Sequence, residues 1–328
     1  MSEFDIIADI FSPLAKDAPG AFDLKDDAAL VDEGALVITK DVMIAGVHFL
    51  PKDPLDLVAR KLIRVNLSDL AAKGAKPIGY FLGCAWPANI KREKIELFAA
   101  GLKDDQEAFR ISLYGGDTTL HSVKAAPLTL SATFFGTPPR RGVTRRSGAS
   151  TGDDLYVSGT IGDAGLGLKA LTKEEKFTTV DKASLAGRYH LPDPRLSLGA
   201  ALAGLATAAI DVSDGLIADA GHLAKASGLR AEIDAVTIPR SAAAASWIAA
   251  QSHRWRALAA LASSGDDYEI VFSAPPAMRR SVTVAAKASR TEVSRIGTLT
   301  RGEGAVLLDE KGEEVAVPSG GGFDHFKR

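Results

Sequence analysis

A chain of 328 residues, 46% apolar and 24% charged, can bury a sizeable core and is long enough for two domains. Its formal net charge of −2 gives no electrostatic footprint for nucleic acid or an anionic membrane surface. The single cysteine, Cys84, excludes an internal disulfide and a cysteine-built zinc site, and its apolar setting "YFLGCAW" reads as core.

The N-terminal "MSEFDIIADIF" opens with acids and reads as an amphipathic helix, not a signal peptide. Residues 35–41 form an apolar run ending in an acid, a strand that would deliver Asp41 to a site. Asp53-Pro54 predicts a helix start, with the acid as cap, and the helix runs to Ala72 with Gly74 just past its end. Its stripe passes from Leu55, Val58, Ala59 and Leu62 to Asn66, Asp69 and Lys73. Spacings of three and four share a face, so the helix would leave the core and enter a cleft. A second helix spans about 91–109, followed by the strand "RISLY", a Gly115-Gly116-Asp117 turn and a strand over 125–136. The Pro, Gly and Arg density of 136–153 marks a linker and divides the chain into domains 1–138 and 139–328.

The second half opens with the strand "DLYVSGTIG" into a Gly-rich turn and helix, then a polar helical excursion over 171–190. A helix over 195–206, a strand over 208–212 and a helix from Asp214 to about Ala226, closed by Gly228, follow. The stretch from Leu198 to Ile210 is too short to span a membrane and reads as a closely packed core helix, so the protein is expected in the cytoplasm. "AEIDAVTIP", "YEIVFSAP" and "EVSRIGTLT" read as strands, and "GAVLLDEKGEEVAV" as a hairpin around Lys311-Gly312. "NLSDLAA" and "DVSDGLIAD" echo one another, each placing Ser-Asp where an apolar run meets a helix.

Aspartates recur at the mouths of these elements: Asp26-Asp27, Asp41, Asp69, Asp117, Asp211, Asp214 and Asp266-Asp267. A carboxylate at the end of a buried strand is costly unless a cation or several donors compensate it. Converging carboxylates therefore call for a positive partner, and all-oxygen ligands select hard cations such as Mg²⁺. Asp211, inside "AAIDV", has no capping role to explain it, whereas Ser213 or Asp214 could simply cap the next helix.

Other motifs have two readings each. "GDAGLGLK" fails both the Walker A and the dinucleotide patterns and reads as a tight strand–helix turn. Gly115-Gly116-Asp117 could cradle a phosphate or be a surface turn. His48 is a core histidine or a donor to substrate, and Arg145-Arg146 is solvated charge or a phosphate clamp. Gly265-Asp266-Asp267-Tyr268-Glu269 would suit a cationic ring or a metal, or be an exposed acidic turn. The tail "GGGFDHF" frays unless Phe323 or Phe326 docks.

Taken in order, "KDVMIAGVHFL", "NLSDLAAKGAKP", "GGDTT", "RSGASTGDDLYVSGTIGDAGLGL", "AIDVSDGLIADAGHLAKASG", "SGDDYEI" and "GFDHF" closely resemble the thiamine-monophosphate kinase family, in the superfamily of aminoimidazole ribonucleotide synthetase. The resemblance implies an α/β N-terminal and an α+β C-terminal domain, with mixed sheets flanked by helices, dimerised through the N-terminal sheets. It implies ATP and several Mg²⁺ ions, with metal ligands at Asp27, Thr39, Asp41, Asp69, Asp117, Asp211 and Asp214. ATP contacts would be Gly116, Asp117, Arg146 and Ser213, and substrate contacts His48, Asp266 and Phe323. Two stretches depart from the family pattern: Leu24-Lys25 replaces glycines, and Lys40 replaces a neutral hydroxyl. The Lys40 ammonium would stand in for one cation or contact phosphate.

The implied activity is direct, in-line phosphorylation of thiamine phosphate, with no covalent nucleophile or general base. Its rivals are an ATP-dependent enzyme activating a carbonyl oxygen, a non-catalytic thiamine phosphate binder, and a generic ATPase.

Overall fold

Sheet and helix periodicity divide the chain into two sheets, each with its own core. The computed structural model describes residues 19–31, 35–318 and 321–323, so the expected N-terminal helix and Phe326 lie outside the described residues. A short 3₁₀ turn, Pro19–Leu24, leads into β1 (Ala29–Val31) and β2 (Leu36–Ile44). Then come α1 (Leu55–Ala72), β3 (Lys76–Trp86), α2 (Arg92–Phe109), β4 (Ser112–Leu120) and β5 (Thr129–Thr137). The first sheet has the order β1-β2-β5-β3-β4, antiparallel except for the β3–β4 pair.

Strands β2 and β5 alternate in burial, as a sheet covered on one face requires. Val37, Thr39 and Met43 face inward with Leu130, Ala132 and Phe134, against α1 and α2. The other face carries exposed Val42 and Phe81, and its aromatic side chains Phe81, Phe135 and Tyr114 touch one another.

The second sheet is built from β6 (Asp154–Ser158), β7 (Ala208–Asp211), β8 (Arg230–Asp234), β9 (Ile270–Ala274), β10 (Val293–Thr300) and β11 (Gly304–Leu308), in the order β11-β8-β10-β6-β9-β7. Its helices are α3 (Asp163–Thr172), α4 (Thr179–His190), α5 (Leu196–Leu202), α6 (Leu216–Ala226), α7 (Ala242–Ala249), α8 (Arg254–Ala262) and α9 (Arg279–Ser289). β6, β7 and β9 are buried throughout, which is why they read as continuous apolar runs.

Helix α1 joins the halves, packing on the first sheet and also against β7 and α5. At its end, Gly199 of α5 lies so close that a Cβ would stand 1.8 Å from the Ala71 carbonyl oxygen. The Leu198–Ile210 stretch is therefore a short close-packed helix, a turn and β7, and no described helix is long and apolar enough to cross a membrane.

Several local expectations are corrected. Asp53 does not cap α1; its carboxylate accepts from the Leu50 N–H at 2.9 Å and bonds Tyr189 and His190. Gly115-Gly116-Asp117 is not a turn but lies within β4. The 136–153 segment lacks regular structure beyond the end of β5 yet is pinned, with the Thr144 N–H donating to Lys73 and the Ala149 N–H to Ser227. The expected C-terminal hairpin is present but short: around Lys311-Gly312 the Asp309 N–H donates to the Glu313 carbonyl at 2.9 Å and the Val315 N–H to the Leu307 carbonyl at 2.8 Å, flanking a bridge from Leu308 to Glu314.

Candidate functional site

The Ser-Asp echo is not a structural repeat, because Ser68-Asp69 sits in the last turns of α1 while Ser213-Asp214 precedes α6. Both nevertheless reach one place. Asp27 comes from the turn before β1, Asp41 from β2, Asp69 from α1 and Asp211 from the end of β7. One carboxylate oxygen from each of Asp27, Asp69 and Asp211 lies within 4.8 Å of the others. The Thr39 hydroxyl reaches Asp69 Oδ2 at 2.5 Å and the Asp27 carbonyl oxygen at 3.1 Å.

Burial dominates the electrostatics. It pushes Asp69 well above the carboxylate range, with repulsion from Asp41, Asp211 and Asp27 added and the Thr39 hydrogen bond opposing. Asp211 is raised to about 8 by burial and then by Asp27, against the Ser68 hydroxyl and Arg146. Asp41 is raised to about 6, first by burial and then by Asp27. Asp27 is the exception: two cations, Arg146 and Lys73, outweigh its burial together and hold it below the usual value.

The pleat settles the Lys40 question. Thr39 and Asp41 share the inner face of β2, so Lys40 between them points outward and donates to Ser131 Oγ at 2.6 Å. It does not enter the acid cluster. The ammonium that does is Lys73, one residue past α1 and 1% exposed, at 2.6 Å from Asp26 and 2.7 Å from Asp27. Of the α1 stripe, Asn66 and Lys73 are buried and Asp69 is half-buried at the acid cluster.

Arg146 donates through Nε to Asp27 at 3.0 Å and pairs it again through Nη2, while its backbone N–H reaches Asp26. Gly116 and Asp117 do not join the cluster. Asp41, Ala132, Leu82 and Gly116 form one row across the sheet, so Asp117 belongs to the next row, on the outer face. Three strand spacings, ~14 Å, separate β4 from β2, and Asp117 is exposed with its carboxylate on the Thr118 N–H.

Asp214 stands beside Asp219 and His222, one ligand atom from each lying within 4.8 Å of the others. Asp219, missed in the sequence, accepts the N–H groups of Asp214 and Gly215 at 3.0 and 3.1 Å and braces that turn. Burial holds His222 down at about 4, so its ring is neutral at pH 7. The Ser213 carbonyl accepts the Asp266 N–H at 2.9 Å, and the Phe323 N–H donates to the Asp214 carbonyl at 3.0 Å.

His48 and Asp266 are brought together by a second buried lysine. Lys61 Nζ donates to the His48 carbonyl at 3.2 Å and to Asp266 Oδ2 at 3.0 Å, with the Tyr189 ring at 4.0 Å. The last turn of α4 thus braces this end from the excursion: Tyr189 and His190 hold Asp53, and Arg188 holds Glu269. Asp267 and Glu269 do not form a ligand site with Asp266. Asp267 caps α3 through the Gly162 and Ala164 N–H groups, and Glu269 is buried under Arg188, Arg195 and Ser158.

"GDAGLGLK" is tightly packed as expected, but only Gly162 precedes the helix and the rest is the start of α3, where Cβ atoms at Gly165 and Gly167 would strike Ser264 and the Leu185 carbonyl at 2.5 and 2.2 Å. Burial raises Cys84 to about 12, leaving an inert thiol.

The site is thus a largely buried cluster of carboxylates drawn from both halves of the chain, with a lysine-bridged polar pair at its other end. Residues 25–137 match the AIR synthase related protein N-terminal domain, and residues 150–310 its C-terminal domain. The thiamine-monophosphate kinase of Caulobacter vibrioides is 48% identical over 99% of this chain and 91% of its own length. The chain belongs to this family. A solved structure of AaThiL complexed with AMPPCP and TMP covers 99% of the chain and 97% of its own, at 28% identity and a TM-score of 0.83. The thiamine-monophosphate kinase of Stenotrophomonas maltophilia K279a covers 95% and 96%, at 34% identity and a TM-score of 0.76. The family likeness extends to the architecture, two mixed sheets flanked by helices.

Proposed function

We propose that this chain transfers the γ-phosphoryl group of ATP to the phosphate of thiamine monophosphate, giving thiamine diphosphate and ADP. The observation that carries the reading is the gathering of Asp27, Asp69 and Asp211 in a buried site where two of the three are forced above the carboxylate range. Such a site is stable as a set of anions only with positive charge inside it. The AaThiL complex with AMPPCP and TMP supports the choice of substrates.

All-oxygen donors of this kind fit Mg²⁺, and Asp27, Asp41, Asp69 and Asp211 would hold it, with Thr39 orienting Asp69. Asp214 would serve beside them. When bound, the metal shields the charge of two phosphates that must approach each other. The chain's residues do the rest by position. A phosphate monoester loses its second proton near pH ~6, so its oxygen attacks without a general base. The P–O bond to ADP breaks as the bond to the acceptor oxygen forms. Arg146 and Ser213 are assigned to ATP, and His48, Asp266 and Phe323 to the thiamine phosphate end.

We further assign residues 1–138 and 139–328 to two domains that complete the cleft together. The exposed outer face of the first sheet, with Val42, Phe81 and Tyr114, supports a homodimer through it, which brings Asp117 to the interface with Gly116 beside it in β4. A cytoplasmic enzyme without nucleic-acid or membrane partners agrees with the small net charge.

The test is an ATP assay with and without Mg²⁺, comparing thiamine phosphate with free thiamine and identifying the products. Thiamine diphosphate formed only from the phosphate, only with Mg²⁺, is expected. Inorganic phosphate without thiamine diphosphate would point to a carbonyl-activating enzyme or an ATPase, and binding without turnover to a vitamin binder.

A further inference from the structure

Lysine is among the residues least often fully buried, yet Lys73 is 1% exposed and its two carboxylate neighbours, Asp26 and Asp27, are 2% and 1% exposed. Its ammonium donates to Asp26 Oδ1 at 2.6 Å and to the Ala209 carbonyl at 3.0 Å, and pairs with Asp27 Oδ2 at 2.7 Å. Two carboxylates and a carbonyl around one positive centre are also what a hard metal ion would seek.

The charges divide into two compartments. Asp26 and Asp27 carry two negative charges, and buried Lys73 and Arg146 supply two positive ones, with half-exposed Arg145 a third at 3.8 Å from Asp26. Asp41, Asp69 and Asp211 carry three when ionised, and no lysine or arginine forms an ion pair with any of them among the described residues. One end of the cluster is closed by the chain's own cations and the other is open.

We propose that the Lys73 ammonium is a fixed internal cation that occupies the Asp26–Asp27 end, confining divalent ions to the Asp41–Asp69–Asp211 end, with Asp27 at the boundary. Lys73 is a positioning residue: its partners are Asp26, Asp27 and the Ala209 carbonyl, through which it also ties the end of α1 to β7. The inference rests on the metal-dependent reading above, but its test needs no turnover.

The probe is Mn²⁺ alone, added to the full chain without nucleotide. Free Mn²⁺ is counted by electron paramagnetic resonance, and bound Mn²⁺ is located by anomalous scattering in crystals. In the wild type, density is expected near Asp69 and Asp211 and none at Asp26. Lys73→Met removes the charge but keeps most of the volume, and should take up one additional Mn²⁺ per chain, at Asp26–Asp27. Lys73→Arg should keep the wild-type count. An unchanged count in folded Lys73→Met overturns the inference while leaving the metal reading intact. A wild-type Mn²⁺ peak at Asp26 overturns it even if Lys73→Met fails to fold. A wild type that binds no Mn²⁺ sinks the metal reading, and this inference with it.

Discussion

Thr39 and Asp69 meet across 2.5 Å, the hydroxyl on β2 donating to a carboxylate on α1 and reaching the Asp27 carbonyl as well. One side chain thus joins three pieces of backbone that supply acidic ligands. The hydrogen bond also counters part of the burial that disfavours an Asp69 anion. Thr39→Val keeps the shape and β-branching but removes the donor. Metal affinity should fall by about 10–100-fold, as when a partner that orients a ligand is lost, while Thr39→Ser stays near wild type. Isothermal titration with Mn²⁺ measures this, and a Thr39→Val affinity equal to wild type would mean that the bond orients nothing of consequence.

Asp211 is buried and, like Asp41 and Asp69, is reached by no ion pair among the described residues. Function and stability should therefore pull apart there. Asp211→Asn is expected to lower kcat by on the order of 10²-fold or more, comparable to losing one transition-state stabilising group. The same variant should melt no lower than wild type without metal at pH 8, because an amide carries no charge to bury. Turnover within a few-fold of wild type would remove Asp211 from the site, and a large fall in melting temperature would make its role structural.

How much of this was legible in the sequence follows from what a residue type reveals. An acid inside an apolar run is costly wherever it is buried, so Asp41, Asp69 and Asp211 announced themselves. Lysines gave no such signal, because their usual place is solvent. Lys61 and Lys73 are buried only through partners that the fold brings from far along the chain. Asp53-Pro54 resembled a cap because local chemistry favours it, but Tyr189 and His190, distant in sequence, claim the carboxylate. Lys40 could have been placed, since alternation in β2 sends it away from its neighbours. The Gly115-Gly116-Asp117 stretch misled because glycine pairs mark turns more often than strands, while here they lie inside β4.

The raised acids fix a pH dependence. A carboxyl whose folded-state value exceeds its ordinary 3.8 is favoured in the fold while protonated, so it stabilises at low pH relative to high. Asp41, at about 6, and Asp211, at about 8, should each weaken the metal-free protein as pH rises from about 4 through those values. Ions must also displace those protons to bind. The rise in melting temperature caused by Mg²⁺ should therefore be larger at pH 8 than at pH 5.5. Thermal melts at both values, with and without Mg²⁺, measure it, and an equal rise at both would deny that these carboxyls hold protons in the metal-free fold.

Lys61 tests the other end of the site. Its ammonium holds the His48 carbonyl and the Asp266 carboxylate, and Asp266 is 28% exposed at the side chain, open to a ligand. Lys61→Met leaves that carboxylate without its partner and frees the two loops from one another. The KM for thiamine phosphate should rise by about 10-fold, the equivalent of one charged hydrogen bond, while the KM for ATP stays unchanged. Equal rises for both substrates would mean that the substitution loosens the whole cleft and that Lys61 has no particular tie to the thiamine phosphate side.

The outer face of the first sheet offers the last test. Phe81 is 49% exposed, Tyr114 58% and Val42 44%, a concentration of apolar surface that a lone chain would leave in water. Among the described residues β4 is also an edge strand of the sheet. A Tyr114→Glu substitution places a charge beside Phe135, whose ring lies 5.0 Å from that of Tyr114. Burying that charge between two copies would be costly, whereas a single chain leaves it in solvent. Sedimentation should show the wild type as a dimer and the variant shifted to monomer, with little change in melting temperature at low protein concentration. A wild type that sediments as a monomer, or a variant that stays fully dimeric, would place the interface elsewhere or deny it.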